Sequence, residues 1–223
     1  MNAETPEETI ERRDAAGALV ERTTYRAGIL DGPTTLFGPG GKPSAEIGFA
    51  EGQRDGAMVL YDDAGAPLAR VNNRGGLLDG PAVFYNAGLM LAEMTFIAGH
   101  AEGPMRSYAA SGALATSGMM RAGRLHGELV VYRPDGSVQQ RMNYADGLLE
   151  GETLDLDPAG TVRKRSLYKA GKLDGPVIEY DEAGRAQTRT QYVADKQVGQ
   201  KQPAPRSAPS NQPPWYKRLL GGE

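Results

Sequence analysis

Apolar and polar residues alternate with a period of two along most of this chain, in short runs opened by glycine. Counting from that glycine, odd positions are apolar: Val59 and Tyr61, Val83 and Tyr85, Val130 and Tyr132, Ile178 and Tyr180. A period of two is the signature of β-strands with one buried face, because successive side chains point to opposite sides. Each run ends on an aromatic, meets a turn signal such as Asp181-Glu182-Ala183-Gly184, and returns over about eight residues to a second aromatic. Those second aromatics are Tyr25, Phe49, Phe96, Tyr144, Tyr168 and Tyr192, with Asn73 and Met120 departing. Two strands with turn signals every ten to twelve residues predict a β-hairpin.

The hairpin repeats. Glycines stand at 32, 56, 80, 103, 127, 151, 175 and 199, a spacing of 24 residues with a single interval of 23. Four residues before each stands another glycine, until Asp195 breaks the series. The missing residue falls between Tyr85 and Gly88, inside a predicted turn, where a deletion disturbs least. Seven to eight such hairpins predict an all-β fold: an elongated single-layer antiparallel sheet, a solenoid-like ribbon in which each repeat touches mainly its neighbours.

On the returning strand the apolar face is expected to carry residues such as Val138, Met142 and Tyr144. The opposite face takes Arg22, Glu46, Arg70, Glu93, Ser117, Arg141, Arg165 and Arg189, seven of eight charged and therefore solvated. A simple antiparallel register sets Arg141 opposite Asp155 and Arg165 opposite Glu179. In the N-terminal half the outward positions are apolar instead: Leu36, Leu60 and Phe84, with Met58 two residues before Leu60.

Composition narrows the function classes. Thirty glycines and 15 prolines make up about a fifth of the 223 residues, well above ordinary usage. A net charge of −3 offers no general attraction for nucleic acid or an anionic membrane. The absence of cysteine removes disulfides, thiolate nucleophiles and cysteine zinc sites. The acidic N-terminus lacks the apolar core of a secretory signal, and no run reaches the length of a membrane span, so a cytoplasmic protein is expected.

Candidate chemistry is sparse. Asp31, Asp55, Asp79, Glu102, His126, Glu150 and Asp174 precede the second glycines as a row. Members two strands apart are too distant to share a cation, and aspartate before glycine is ordinary turn chemistry. His100 and His126 have no paired ligand, and no nucleophile–base pair or phosphate-binding loop occurs. No enzyme activity, metal or cofactor is implied.

Four segments follow. Residues 1–16 form an N-terminal cap, in which Thr5, Pro6 and Glu8 predict a short helix over residues 5–13. The repeats occupy 17–199, with an exposed final strand near Gln187–Val193. A Pro-rich, disordered linker spans 200–214. Residues 215–223 hold Trp215, Tyr216, Lys217, Arg218, Leu219 and Leu220, a cluster that either packs back on the sheet or docks on a partner.

The recurring Tyr-x-x-Gly-x-x-x-Gly-x-x-x-x-Tyr, best copied in Tyr168-Lys169-Ala170-Gly171-Lys172-Leu173-Asp174-Gly175 through Tyr180, resembles the MORN-repeat-variant family, which includes YwqK-type antitoxin proteins. The resemblance covers residues 17–199 and implies an interaction module, either an adaptor or scaffold or an antitoxin-like binder of another protein. A peripheral lipid-binding module is the alternative. Candidate contacts are the apolar stripe Met58, Leu60 and Phe84, the aromatics Tyr61, Tyr85, Tyr108 and Tyr132, and the Trp215–Leu220 cluster.

Overall fold

A computed structural model describes residues 6–203. Among the described residues there are 21 strands and no helix, all in an open antiparallel sheet built hairpin by hairpin. The expected all-β, single-layer hairpin architecture is therefore the observed one. The chain divides into two compact units, Met1–Gly112 with Met120–Gly123, and Ala113–Met119 with Arg124–Glu223.

Unit 1 holds β1 (Glu7–Arg13), β2 (Leu19–Arg26), β3 (Ile29–Phe37), β4 (Pro43–Ala50), β5 (Gln53–Tyr61), β6 (Pro67–Arg74), β7 (Leu77–Leu78), β8 (Gly80–Asn86), β9 (Leu89–Ile97), β10 (His100–Ala101) and β11 (Gly103–Tyr108). Most of β12 (Leu114–Arg121) belongs to unit 2. There it is followed by β13 (Arg124–Leu125), β14 (Gly127–Tyr132), β15 (Val138–Ala145), β16 (Leu148–Leu156), β17 (Val162–Lys169), β18 (Lys172–Leu173), β19 (Gly175–Tyr180), β20 (Ala186–Val193) and β21 (Lys196–Pro203).

Two kinds of turn close the hairpins, on opposite edges. At Lys169-Ala170-Gly171-Lys172 the two central residues have φ of 48° and 81°, the left-handed pair of a two-residue type I′ hairpin. At Asp181–Arg185 a longer turn runs from Asp181 N–H to the Arg185 carbonyl at 2.9 Å, with Gly184 at φ 72°. The Asp181 carboxylate accepts from the N–H groups of Ala183 (3.0 Å) and Arg185 (2.8 Å), fixing the loop from within.

The longer turn inserts an extra residue, and the ladder slips beside it between Glu179 and Tyr180. A second slip, of two residues, follows each type I′ turn: Tyr168 pairs with Leu173, but Lys164 pairs with Glu179. The one-residue slip beside the longer turn exchanges the faces that meet there, whereas the two-residue slip leaves them in phase. Arg141 lies opposite Val130 and Leu154 rather than Asp155, and Arg165 opposite Ile178 rather than Glu179. Each arginine reaches a glutamate diagonally, Arg141 to Glu128 at 3.0 Å and Arg165 to Glu152 at 3.6 Å.

The ends also differ from the sequence reading. Residues 7–13 are strand β1, because antiparallel pairing with β2 along seven residues bonds the inner edge of their backbone, which outweighs a local capping pattern; Thr5 lies outside the described residues. Strand β20 is covered by β21, which extends through Pro203, four residues into the expected linker. Trp215 to Leu220 lie outside the described residues.

Candidate interaction surface

The register slip decides which side chains share a face. In unit 1, Met58 lies opposite Val71, Leu60 opposite Ala69, Ala69 opposite Phe84, and Ala82 opposite Met94. Ala69, Val71 and Ala82 are buried, and Met58, Leu60, Leu78, Phe84, Met94 and Phe96 pack against them. Met58, Leu60 and Phe84 are thus brought together as the sequence reading expects, but within the hydrophobic cluster and not as a stripe on the reverse side. Leu78, Met94 and Phe96 complete the cluster. Their membership follows from pairing across the neighbouring turns, Leu78 opposite Asn73, Met94 opposite Ala82 and Phe96 opposite Gly80, the last two past a register shift between Phe84 and Tyr85.

No large side chain among the described residues is fully buried. A single layer gives each apolar side chain neighbours within its own sheet and none above. The cluster residues Met58, Leu60 and Phe84 are half-buried, so this face leaves part of the apolar cluster exposed, with buried Asn73 beside it. Beside it, the shortened hairpin exposes Leu89, Met90 and Leu91, an apolar run in its return strand.

The candidate tyrosines Tyr61, Tyr85, Tyr108 and Tyr132 belong to the other face, with the charged residues, whereas Tyr144, Tyr168 and Tyr192 take the place of Phe96 on the cluster face. Tyr61 donates its hydroxyl to Glu46 at 2.7 Å, and Tyr108 donates to Glu93 at 2.7 Å. The Tyr132 hydroxyl lies 3.0 Å from Ser117 Oγ, and the Phe37 ring lies under the Arg22 guanidinium at 5.9 Å. In each case the aromatic reaches the residue 15 positions earlier in sequence. Hydrogen bonding to Glu46 and Glu93 raises the phenol pKa of Tyr61 and Tyr108. The bonds from Tyr108 and then Arg106 lower that of Glu93. Three of the four candidate tyrosines are therefore already engaged within the sheet; Tyr85 is half-buried on the short hairpin. An open depression of about 470 Å³ on unit 1 is lined by Pro33, Thr35, Glu46, Gly48, Ala57 and Val59 among others. An added Cβ at Gly48 would collide with the Asp55 carbonyl.

The acidic row has a structural role, over a longer range than a local turn. Asp55 accepts from Gly75 N–H at 3.0 Å, Asp79 from Ala98 N–H at 3.2 Å, Glu102 from Ala122 N–H at 2.8 Å and Glu150 from Ala170 N–H at 2.7 Å. Each carboxylate thereby holds the type I′ turn of the next repeat. Backbone bonds run beside it, such as Gly171 N–H to the Leu149 carbonyl at 2.8 Å. His126 takes the same place without a carboxylate, its Nδ1 3.6 Å from Asp146. Among the described residues no group of three or more acidic or histidine side chains could hold a metal, and no helix is long and apolar enough to cross a membrane.

Against known proteins, the chain matches no protein family and no curated protein. Among solved structures it is similar to a mutant of S. aureus TarM in complex with Fondaparinux, alpha-GlcNAc-glycerol and UDP, at 13% identity and a TM-score of 0.23 over 48% of this chain. It is also similar to the TcdB2-TccC3-Cdc42 structure, at 14% identity and a TM-score of 0.17 over 82% of this chain. The chain spans 19% and 13% of those proteins' lengths. Scores this low leave both likenesses without bearing on fold or activity.

Proposed function

We propose that this protein is a non-enzymatic binding module for another protein, acting as an adaptor or an antitoxin-like partner, and that it makes contact through the apolar face of unit 1. One observation carries the reading: the cluster around Ala69, Val71 and Ala82 lies on one face of a single layer and leaves Met58, Leu60 and Phe84 half-exposed. Contiguous apolar surface on an otherwise charged molecule is characteristic of partner sites. The resemblance of the repeat to MORN-variant proteins supports binding over catalysis. A cytoplasmic setting belongs to the proposal, supported by the acidic, cysteine-free composition.

The test is affinity capture from native lysate with the full chain, Met58→Glu, and Trp215→Ala combined with Tyr216→Ala. A stoichiometric protein retained by the full chain and the tail variant, but lost with Met58→Glu at unchanged circular dichroism, supports the reading. Equal capture by all three removes the face from consideration. Loss with the tail variant alone transfers binding to the C-terminal cluster. Sedimentation with phosphatidylserine vesicles, if sensitive to Met58→Glu, would replace the protein partner by a lipid surface.

A further inference from the structure

Strand β1 is hydrogen-bonded along one side, to β2, and among the described residues its other side is open. All seven of its residues are exposed, Ile10 at 45%. Open edges in natural sheets are generally blunted by charged side chains, lysine above all, by proline, or by bulges, because they otherwise template pairing. The other terminal strand, β21, fits that description, with Lys196, Lys201, Pro203 and a left-handed Gly199 at φ 81°. Strand β1 is protected differently. It contains no lysine, glycine or proline, and its register with β2 is unbroken from Glu7 to Arg12, shifting only at Arg13. Its guard is charge, three glutamates and two arginines, which repels most edges but not one that presents the same charges in reverse order.

Its sequence, Glu7-Glu8-Thr9-Ile10-Glu11-Arg12-Arg13, is complementary to itself when reversed. Antiparallel pairing of two copies about Ile10 sets Glu7 opposite Arg13, Glu8 opposite Arg12 and Ile10 opposite Ile10. Each of the two former pairs occurs twice by symmetry. Moving the register by two residues in either direction sets Glu7 against Glu11, or Glu11 against itself. Faces match as well. Glu8, Ile10 and Arg12 lie opposite Tyr25, Thr23 and Glu21 of β2, all on one face, and a two-fold axis normal to the sheet keeps that face common to both copies.

We propose that two copies of this chain associate through their β1 edges, antiparallel and centred on Ile10, continuing the sheet from one copy into the other. The occupant is a second copy because the charge pattern answers itself. Within one chain Arg12 pairs with Glu21 at 2.8 Å and Arg26 approaches Glu7 at 3.7 Å, so association extends existing surface networks instead of burying isolated charges.

The test is sedimentation of the full chain across a wide range of concentration, with Glu8→Arg, Arg12→Glu and an equimolar mixture of the two variants. A monomer–dimer equilibrium is expected, weakened about tenfold or more in each variant, since like charges then face each other twice. Mixing restores dimerisation. The arginine introduced at position 8 of one copy then meets the glutamate introduced at position 12 of the other, and the second pair keeps its native Glu8 and Arg12. A chain that stays monomeric, or a dimer indifferent to both substitutions, overturns the proposal. Since Arg12→Glu also faces Glu21, cysteine cross-linking serves as an independent readout in this cysteine-free chain. Ile10→Cys forms a disulfide dimer on mild oxidation, whereas Val198→Cys on β21 does not; the reverse outcome moves the interface to the other edge.

Discussion

The same row of the sheet is built from opposite materials in the two units. In unit 1 it runs Leu36, Ala45, Leu60, Ala69, Phe84, Ala92, each opposite the next or joined through the adjacent hairpin. In unit 2 the equivalent positions are Thr116, Val131, Gln140, Asp155, Lys164, Glu179 and Thr188. There Gln140 donates to Asp155 at 2.6 Å, and Thr188 and Lys201 each donate to Glu179 at 2.6 Å. Both rows close the same backbone ladder. The comparison teaches that the fold depends on glycine turns and ladder bonds common to both units, leaving the side chains of this row free to serve another purpose. An apolar row adds contact area and an adhesive face, while the polar row adds surface ion pairs worth little to stability.

Truncating the row in each unit gives the largest contrast. Phe84→Ala is expected to lower stability by about 2 kcal/mol in urea denaturation. Glu179→Ala should cost about 0.5 kcal/mol or less, and equal losses would break the contrast. Next in size is a gain. Thr153, 7% exposed, has an Oγ1 without a hydrogen-bond partner. Thr153→Val, which gives unit 2 the apolar character of Ala82 and Met58, should raise stability by about 1 kcal/mol.

A smaller effect separates the two faces of unit 1. Tyr61→Phe removes the bond to Glu46 and is expected to cost about 0.5 kcal/mol at neutral pH. Because the folded phenol pKa is raised, its contribution is present below the ordinary value of 10.0 and lost as pH rises through the folded value. Alkaline titration of the variant should therefore show a shallower fall in stability. The smallest effect belongs to unit 2. The bond from Lys201, and next that from Thr188, holds the Glu179 carboxyl below its usual 4.5. That stability is present above 4.5 and lost as pH falls through the lowered value. Glu179→Gln should remove a few tenths of a kcal/mol at neutral pH and less in acid or in high salt, as read by thermal melts.

Much of this is legible in the chain. The 24-residue glycine spacing predicts the hairpins, and the deletion near Gly88 falls where expected, the turn there contracting to Ala87-Gly88 with Asn86 paired to Leu89. Faces are harder to read. Alternation tells which residues lie together within a strand, but how two strands' faces match depends on the residue count of each turn, and both turn types here slip the ladder. Val59 and Met58 thus exchange roles, while the hairpin that carries them is the expected one. The expected helix over residues 5–13 fails for a related reason. A capping pattern is local, whereas the partner that makes Glu7–Arg13 a strand lies across a turn, in β2.

The turn ladder has a hereditary consequence. Its carboxylate bonds from Asp55, Asp79, Glu102 and Glu150 have their acceptor in one repeat and their donor in the next, while at the last turn Leu173 N–H donates the other way, to Asp195. Duplicating a 24-residue segment therefore copies a complete joint, and the number of copies can change without inventing a new contact. The short unit shows the tolerance of the scheme. Asp79 still clasps Ala98 although the pair is one residue closer in sequence than its counterparts, because the lost residue came from the opposite edge. Length variation is thus confined to the margin that carries the longer turns, and the clasped margin keeps the reading frame of the whole array.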